Sequence, residues 1–448
     1  MASARRQWMA CTLTCRLQAR KEIMILSSSN RIAVIGLGYV GLPLAVALAK
    51  KFDCVGIDID ESRIAELKVG HDCTREIEPE RLRASTLELS RNIEDARGAG
   101  VFIVTVPTPV DAANQPDLTP VMGATRALAG VLEKGAGTII VYESTVYPGV
   151  TEDICGPEIE RLSGLKRGVD FFLGYSPERI NPGDREHTID RITKVVSGEN
   201  EAVTDRVAAL YGAITSGGTF RAASIKAAEA AKVIENAQRD INIAFMNEIA
   251  QIFGKMDLSI HDVLDAANTK WNFLRFSPGL VGGHCIGVDP YYLSYKAQQL
   301  GLLPRVVLAG RSINDGMSTY IADEVHSRLC KPGRVLVLGL TFKEDVPDLR
   351  NSKVVSVIER LKWIGHQVTV HDPLANGEEA AHEYGLTLDA DALSRRYDAV
   401  IAAVPHAVYR AWDRQQIAAL LEDGGLLADI KGLWRTVDLP AGYRRWQL

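Results

Sequence analysis

A glycine-rich turn between an apolar run and a helical pattern is the feature that most constrains the fold of this chain. Residues 31–35 (RIAVI) form the apolar run, GLGYVG follows at 36–41, and residues 40–50 have the pattern of a helix. A second apolar run at 53–58 completes the order strand, turn, helix, strand, which is typical of a βαβ unit. The sequence therefore predicts an α/β domain built around this glycine turn.

The three glycines of the turn have the spacing of a dinucleotide site. Gly36 permits a tight turn, Gly38 lets the backbone approach a pyrophosphate, and Gly41 allows the helix to pack against the strand. The phosphates would lie at the helix N-terminus, where backbone N–H groups favour anions. Asp58 ends the second run and is placed to meet the ribose hydroxyls. An acid there favours NAD over NADP, although Arg63 weakens this preference slightly. A glycine turn in another kind of α/β protein is the alternative.

The length and the later pattern of the chain indicate several domains. Its 448 residues exceed one ordinary hydrophobic core. From Ala222, a stretch without Gly or Pro until Gly254 predicts one long helix, and a second strand–helix rhythm begins near Gly333. We predict an α/β fold with two Rossmann-like doubly wound domains joined by a long central helix. The expected segments are a disordered extension at 1–30, an NAD-binding domain at 31–221, a central helical and dimerisation domain at 222–325, and a C-terminal domain at 326–448.

Composition and cysteine usage exclude several classes of function. The net charge of −5 gives no support for a nucleic-acid or membrane partner, and no uninterrupted apolar stretch reaches about 18 residues. The seven cysteines are scattered, so we expect neither a disulfide framework nor a metal site. Reduced thiols of this kind are typical of a cytoplasmic protein. An Arg-rich transit peptide is the alternative for residues 1–30, but because Met24 lies just before the first strand, we expect a chain that begins there to fold and turn over normally.

Cys285 stands in a glycine-rich segment that suits a nucleophile. The segment GGHCIGVDP spans 282–290, and a thiol in such a turn can be open to substrate and activated by nearby cations. A lone cysteine is more often a small buried hydrophobe, so this residue by itself is weak evidence. Asp289 could act as a base or could cap a helix that begins at Pro290, and His284 is assigned a structural role.

A lysine and an asparagine in the predicted central helix could stabilise an oxyanion. Lys232 and Asn236 are four residues apart, which places both on one face of the helix. An ammonium and an amide side by side can bind a developing negative charge. Arg239 follows three positions later and shares that face. The alternative is an ordinary solvated lysine on a helix surface.

Two loops carry further charged candidates. The loop SPERINPG contains Glu178 and Arg179, which could serve acid–base chemistry or anion binding, or could form a surface ion pair. In the C-terminal domain, Phe342 and Lys343 follow the first predicted strand, with Arg350 downstream. Ligands bind at this end of the strands in α/β sheets, and two cations there suit a diphosphate.

In their order along the chain, these motifs resemble those of the UDP-glucose/GDP-mannose dehydrogenase family. The resemblance runs from about Arg31 to about Arg435 and rests on GLGYVGLP, VPTP, STVYPG, SPER, AEAAKVIEN, GGHCIGVDP, FKEDVPDLRNS and DIKGLWR. SPERINPG and NTKWNFLRFSPGLVGGHCIGVDPYYL resemble the members that act on UDP-N-acetylglucosamine or UDP-N-acetylgalactosamine. Such members produce the uronic acids of surface polysaccharides.

The resemblance implies a role for each candidate residue. The NAD site would be lined by Gly36, Gly38, Val40, Gly41, Asp58, Arg63, Thr108 and Thr145, with Arg350 reaching it from the C-terminal domain. Catalysis would use the nucleophile Cys285, with Lys232, Asn236 and Asp289 to stabilise charge and organise the base or water, and with Glu178 to handle the hydrolytic water. The nucleotide sugar would contact Arg179, Ile180, Arg239, Phe342, Lys343 and Arg435.

The implied reaction oxidises an alcohol to an acid with two NAD per turnover, and Cys285 carries the sugar as a thiohemiacetal and then as a thioester. UDP-glucose dehydrogenases have a second Glu where this chain has Pro182, which argues against a two-Glu mechanism and against UDP-glucose. The C4 configuration of the sugar stays open. The alternatives are UDP-N-acetylmannosamine, UDP-glucose or GDP-mannose as substrate, a single-oxidation dehydrogenase of the 6-phosphogluconate or hydroxyacyl type, and a non-catalytic NAD-binding regulatory protein. A homodimer is the expected assembly.

Overall fold

A computed structural model describes residues 31–111, 113–178, 188–283 and 286–448 of the chain. By internal contacts the chain divides into two units, residues 1–233 and 234–448. This division falls inside the long helix predicted from Ala222, and the three-domain boundaries stay predictions. The expectations for residues 1–30 and for Arg179, Ile180, Pro182, His284 and Cys285 lie outside the described residues.

The first unit contains an eight-stranded sheet in the order β3-β2-β1-β4-β5-β6-β7-β8. The described strand pairs are parallel, except that β6 and β7 run antiparallel. The order from β3 to β6 is that of a doubly wound sheet with its switch point between β1 and β4, which confirms the predicted fold class. The strands are β1 (Ile32–Ile35), β2 (Cys54–Ile57), β3 (Glu88–Ser90), β4 (Val101–Val104), β5 (Thr138–Tyr142), β6 (Phe171–Tyr175), β7 (Lys194–Gly198) and β8 (Thr219–Arg221).

Helices alternate with these strands. They are α1 (Gly41–Ala49), α2 (Glu61–Lys68), α3 (Pro79–Arg83), α4 (Thr119–Ala129), α5 (Gly156–Ser163), α6 (Glu201–Gly212) and the start of α7 (Ile225–Gly254). All nine residues of α1 are buried, as are all four residues of β1. Burying an aliphatic side chain stabilises the fold by roughly 1.5–3 kcal/mol. The apolar runs on both sides of the glycine turn therefore hold that turn in place.

The second unit contains a five-stranded parallel sheet in the order β10-β9-β11-β12-β13. This is the other common doubly wound order, and it confirms the predicted second Rossmann-like sheet. The switch point of this sheet lies between the neighbouring strands β9 and β11, because β10 follows on one side and β12 on the other. A crevice is expected beyond the carboxyl ends of β9 and β11. The strands are β9 (Arg334–Leu338), β10 (Gln367–His371), β11 (Tyr397–Ala402), β12 (Leu421–Asp429) and β13 (Arg444–Gln447).

The long helix α7 has 30 residues and confirms the prediction made from the stretch without Gly or Pro. The helices that follow it are α8 (Ile260–Ala267), α9 (Asp289–Gln299), α10 (Arg305–Leu329), α11 (Lys353–Ile364), α12 (Gly377–Tyr384), α13 (Ala407–Arg410) and α14 (Arg414–Ala419). Among the described residues, no helix combines the length and the apolar character that a membrane crossing requires.

Candidate active site

The glycine turn has the geometry that a bound pyrophosphate requires. Gly36 has a φ of 94°, a left-handed conformation that L side chains rarely adopt. A Cβ on Gly41 would overlap the Gly36 carbonyl oxygen and Thr105 Oγ1, so helix α1 and the turn can approach closely only with glycine there. A Cβ on Gly38 would meet no atom of the described residues within 4 Å. That open space beside the backbone is the room in which the resemblance places the cofactor phosphates.

Gly38 and Gly41 give a matched pair of variants. Gly38→Ala is expected to fold normally but to raise the KM for NAD at least about tenfold, because the new methyl occupies the space beside the phosphates and tenfold corresponds to about 1.4 kcal/mol. Gly41→Ala is expected to lower the Tm, because overpacking against backbone costs typically about 1–3 kcal/mol. Steady-state kinetics and thermal unfolding of both variants separate the two effects. Equal loss of stability in both variants would contradict this assignment of roles.

Asp58 and Arg63 both bond to the turn, but in different ways. Asp58 Oδ2 accepts from the Leu37 N–H at 2.7 Å, which places the carboxylate at the end of β2 beside the turn. Arg63 Nε donates to the Leu37 carbonyl at 2.9 Å, and the guanidinium also pairs with Asp72 at 2.8 Å and with Glu66. Arg63 is buried, and its positive charge is neutralised by these carboxylates. It therefore braces the turn, while its direct contact with NAD stays a prediction.

The loops after β4 and β5 carry the other predicted NAD contacts. Thr108 and Thr145 are both half-buried in these loops. Ser144 Oγ donates to the Val106 carbonyl at 2.6 Å and so ties the two loops together. Thr105 Oγ1 lies 2.7 Å from the Gly36 carbonyl oxygen, to which it can donate. Thr105 could not be recognised from the sequence, because a threonine that follows a strand has no distinctive pattern.

The helix α7 anchors the far end of the loop after β5. Glu229 is fully buried, and its carboxylate accepts from the backbone N–H groups of Gly149 at 2.6 Å and Thr151 at 3.0 Å. Burial raises the pKa of Glu229 to about 7, although these backbone donors oppose the shift. The STVYPG segment is therefore attached at its end to the same helix that carries Lys232.

Lys232 and Asn236 are both buried on α7. This excludes the alternative of an ordinary solvated lysine on a helix surface. Asn236 Nδ2 donates to Asp289 Oδ2 at 2.5 Å, and Asp289 is also buried. Helix α9 begins at Asp289 rather than after it, so the carboxylate lies in the first turn, where the helix dipole favours negative charge. The structure thus joins Asn236 to Asp289, a pair that the sequence could only list separately.

The glycines before Cys285 are packed against the loop that follows β9. A Cβ on Gly283 would lie 2.8 Å from Phe342 Cδ2, and a Cβ on Gly282 would lie 2.5 Å from the Asn351 carbonyl oxygen. The Gly283 N–H also donates to that oxygen at 3.3 Å. Glycine is therefore required for close approach at both positions. The segment that leads to Cys285 lies directly beside Phe342, one of the predicted nucleotide-sugar contacts.

A buried asparagine holds the start of this segment. Asn247 on α7 accepts from the Gly279 N–H at 2.7 Å and donates to the Gly279 carbonyl at 3.0 Å. Lys431 Nζ donates to the Pro278 carbonyl at 3.2 Å. Burial lowers the pKa of Lys431. Sequence reasoning missed both residues, since Asn247 is one of several polar residues on a long helix and Lys431 lies far along the chain.

The cation loop (residues 341–350) carries Lys343 and Arg350 beyond the carboxyl end of β9. Lys343 is half-buried, and Arg350 is exposed and pairs with both oxygens of Asp348, at 3.1 and 2.7 Å. Two further predicted contacts form ion pairs: Arg435 with Asp265 at 2.6 Å and Arg239 with Glu235 at 3.6 Å. Both arginines are partly exposed, unlike Asn236 on the same helix as Arg239. Their ligand contacts stay predictions.

A buried histidine–aspartate pair supports the cation loop from beneath. Asp372 Oδ2 accepts from the N–H groups of Leu340 at 2.6 Å and Thr341 at 3.1 Å, and it lies 3.1 Å from His406 Nε2. His406 Nδ1 accepts from the Asp345 N–H at 3.0 Å, so Nε2 carries the proton and donates to Asp372. Burial alone would raise the pKa of Asp372, but the hydrogen bonds from these donors lower it to about 2.

Glu178 belongs to a buried charged cluster in the first unit. Lys194 Nζ lies 3.4 Å from Glu178 Oε2 and 3.0 Å from Glu143 Oε2. Tyr211 donates its hydroxyl hydrogen bond to the other oxygen of Glu143. All four residues are buried, and none is more than 5% exposed. The surface ion pair considered for the SPER loop therefore does not describe Glu178, which lies inside the protein.

A dinucleotide turn in one Rossmann-like unit and a cation loop at the crevice of a second define a dehydrogenase with two nucleotide sites. The chain matches the UDP-glucose/GDP-mannose dehydrogenase family in three segments. Residues 30–215 match its NAD binding domain, 226–316 its central domain and 336–436 its UDP binding domain. The chain belongs to this family and is an NAD-dependent nucleotide-sugar 6-dehydrogenase.

Relatives with most of their length in common support the same conclusion. The chain is 51% identical to the protein CapL of Staphylococcus aureus, over 94% of this chain and 100% of that protein. It is 50% identical to a UDP-N-acetyl-D-glucosamine 6-dehydrogenase of Pseudomonas aeruginosa, over 90% and 97%. A solved structure, the UDP-D-ManNAc dehydrogenase of Pyrococcus horikoshii, has a TM-score of 0.83 at 29% identity and covers 93% of this chain and 98% of that one.

Proposed function

We propose that the chain oxidises the C6 hydroxyl of a UDP-N-acetylhexosamine, UDP-GlcNAc or UDP-GalNAc, to the uronic acid used in surface polysaccharides. The observation that carries this proposal is the packing of the described residues on either side of Cys285 in the sequence. Gly283 before it packs against Phe342 of the cation loop, and Asp289 after it accepts a hydrogen bond from Asn236. The identity to a relative named as a UDP-N-acetyl-D-glucosamine 6-dehydrogenase supports the choice of sugar.

The residues divide the chemistry among them. NAD would be held by the glycine turn and Asp58 and would accept the hydride in both oxidations, while the base or water organised by Asp289 would take the proton of the C6 hydroxyl. The Cys285 thiolate adds to the C6 aldehyde, so that the aldehyde stays bound and the tetrahedral carbon can lose a second hydride. Lys232 and Asn236 donate to the oxyanion that develops on the C6 oxygen. Phe342 and Lys343 hold the nucleotide, where an ammonium suits a diphosphate.

The last step releases the acid without a change in oxidation state. A water molecule gives one proton to the Glu178 carboxylate while its oxygen forms a bond to the thioester carbon. The carbon–sulfur bond then breaks and Cys285 leaves as a thiolate. Asp289, which accepts a hydrogen bond from Asn236, would organise the base or the water for this step. Glu178 is the only Glu of the motif SPERINPG, since the chain has Pro182 where a second carboxylate would stand.

A panel of nucleotide sugars tests the proposal. Purified enzyme is incubated with UDP-GlcNAc, UDP-GalNAc, UDP-ManNAc, UDP-glucose and GDP-mannose, and NADH is measured by its absorbance. We expect UDP-GlcNAc or UDP-GalNAc to give the highest kcat/KM, with two NADH released per sugar. One NADH per sugar would indicate a single oxidation, a preference for another sugar would correct the substrate, and no NADH with any sugar would favour a non-catalytic NAD-binding protein.

We also propose that the enzyme is a homodimer built on α7. Ile234, Phe245 and Ile252 are 56%, 51% and 48% exposed, and their spacing of 11 and 7 residues is close to whole turns of a helix. Large apolar side chains aligned on one exposed helix face mark an interaction surface. Sedimentation analysis is expected to give a dimer, and Phe245→Glu is expected to weaken it. A monomer at all concentrations would contradict the proposal.

The compartment proposed for this enzyme is the cytoplasm. Cys54, Cys73, Cys155 and Cys330, in the described part of the chain, are free thiols. Free thiols are typical of a reducing compartment. Activity recovered in a soluble cytoplasmic fraction would agree with this location, and recovery from an oxidising compartment would contradict it.

A further inference from the structure

The buried ammonium of Lys194 lies at the carboxyl edge of the first sheet, and no sequence motif indicated this position. Strand β7 runs antiparallel to β6, with Tyr175 opposite Ser197 and Gly174 opposite Gly198. Continuing this register places residue 178 opposite Lys194, the first residue of β7. The reversed strand direction therefore returns a lysine to the carboxyl edge of the sheet, directly beside the glutamate that follows β6.

The cluster around Lys194 is built from four elements. Glu143 follows β5, Glu178 follows β6, Lys194 begins β7 and Tyr211 lies on α6. Lys194 lies 3.0 Å from Glu143, 3.4 Å from Glu178 and 5.1 Å from the centre of the Tyr211 ring. Its ammonium also lies 3.5 Å from the Pro177 carbonyl oxygen, one residue before Glu178. Lys194 thus contacts both the side chain of Glu178 and the backbone that carries it.

Glu178 can carry a negative charge inside this cluster because the Lys194 ammonium lies next to it. An isolated carboxylate buried in protein is strongly unfavourable, and a cation within about 4 Å offsets that cost. Burial raises the pKa of Glu143, and Lys194 opposes this. Burial alone would lower the pKa of Lys194, but the two carboxylates raise it. Lys194 therefore stays charged, and Glu143 and Tyr211 keep it from moving away from Glu178.

We propose that Lys194, fixed by Glu143 and Tyr211, is a positioning residue that holds Glu178 charged and oriented for hydrolysis of the Cys285 thioester. This inference rests on the proposed function. It assigns the lysine no contact with the substrate and no part in either hydride transfer. A loss of Lys194 should therefore slow the release of the acid and leave the earlier oxidation steps intact.

The variant Lys194→Met tests this assignment, because methionine keeps much of the length and removes the charge. We expect the kcat for acid formation to fall roughly 10- to 100-fold, less than the roughly 10²- to 10⁴-fold contributed by a positioned general base, because Glu178 itself is retained. The KM values for NAD and for the nucleotide sugar are expected to change little. The pre-steady-state release of NADH should keep its rate, and the enzyme should accumulate as an acyl adduct on Cys285, detected by intact-protein mass spectrometry.

The pH profile and a conservative variant distinguish positioning from a structural role. Without the ammonium, Glu178 needs a higher pH to be charged, so the acid limb of the kcat profile should move to higher pH in Lys194→Met. Lys194→Arg retains the cation and is expected to restore most of the activity and the acid limb. Lys134→Met is the matched control, because Lys134 is an exposed lysine of the same unit.

Removing Lys194 alone leaves two buried carboxylates without their cation and could prevent folding. The double variant Glu143→Gln, Lys194→Met removes both members of the ion pair, and it is expected to fold but to accumulate the same acyl adduct. Normal hydrolysis by a folded variant overturns the proposal, and so does slow turnover without the adduct. Failure of the double variant to fold also overturns it, because the role would then be structural. The wild type is measured first: failure to release two NADH per sugar contradicts the proposed function itself.

Discussion

Replacement of Cys285 by serine is expected to lower the rate of acid formation by about 10³-fold or more, which corresponds to about 4 kcal/mol of transition-state stabilisation. A serine hydroxyl is a much weaker nucleophile than a thiolate at neutral pH, so the aldehyde is no longer captured efficiently. Binding of the nucleotide sugar should be retained, because the contacts assigned to Phe342 and Lys343 are unchanged. The variant is expected to stall at the aldehyde level or at a covalent species.

Rapid-quench kinetics and intact-protein mass spectrometry check this expectation. They report how much NADH is released in the first turnover and whether sugar remains attached to the enzyme. Cys330→Ser is the control, because Cys330 is a free, exposed thiol at the end of α10 and has no assigned role. Full turnover by Cys285→Ser, with two NADH per sugar, would rule out covalent catalysis by this residue.

Asp289→Asn is expected to reduce kcat by roughly 10²- to 10⁴-fold, the range typical for loss of a positioned acid–base group. The new amide has almost the same shape as the carboxylate, so the beginning of α9 should be preserved. It cannot accept a proton, however, and the charge beside Asn236 is lost. Asn236→Ala is expected to cost about 10²- to 10³-fold, because it removes both a donor to the oxyanion and the 2.5 Å hydrogen bond to Asp289.

Asn242→Ala is the matched control for the asparagine variant. Asn242 lies on the same helix, and its side chain donates to the Gln238 carbonyl of that helix at 2.8 Å. It is expected to keep near-normal kcat and KM values. The two variants at Asn236 and Asp289 should not be additive, since residues joined by a hydrogen bond act as a unit. Wild-type kcat in Asp289→Asn would remove this residue from the catalytic steps.

Much of the fold followed from local patterns in the sequence. The βαβ unit was readable because an apolar strand, a glycine turn and an apolar helix are adjacent in the chain, and the interactions that define them are local. The long helix α7 could be predicted because 30 residues without an internal Gly or Pro are compatible with few structures other than a helix. The strand order and the antiparallel pairing of β7 were not readable, since they depend on contacts between distant segments.

The sequence predicted the residue types of the candidate site, but it predicted few of the contacts between those residues. The sequence named Asn236 and Asp289, but their hydrogen bond joins residues 53 positions apart. It named Arg63 as a cofactor contact, whereas the structure also uses this guanidinium to brace the glycine turn. Asp372 and His406 support the cation loop from the segments that follow β10 and β11, and they have no motif of their own. A pattern can identify a residue type that suits the chemistry, but it cannot report burial or partners.

The sequence was enough to predict a glycine turn for a dinucleotide, a long central helix and a second alternation of strands and helices, because each depends on interactions between near neighbours. Only the folded chain shows that Asn236 donates a hydrogen bond to Asp289. It also shows that Glu178 is buried beside Lys194 and Glu143, at separations of 16 and 35 residues. The physical reason is that electrostatic and packing interactions depend on distance in space, which the folding of the sheet sets and the order of residues does not.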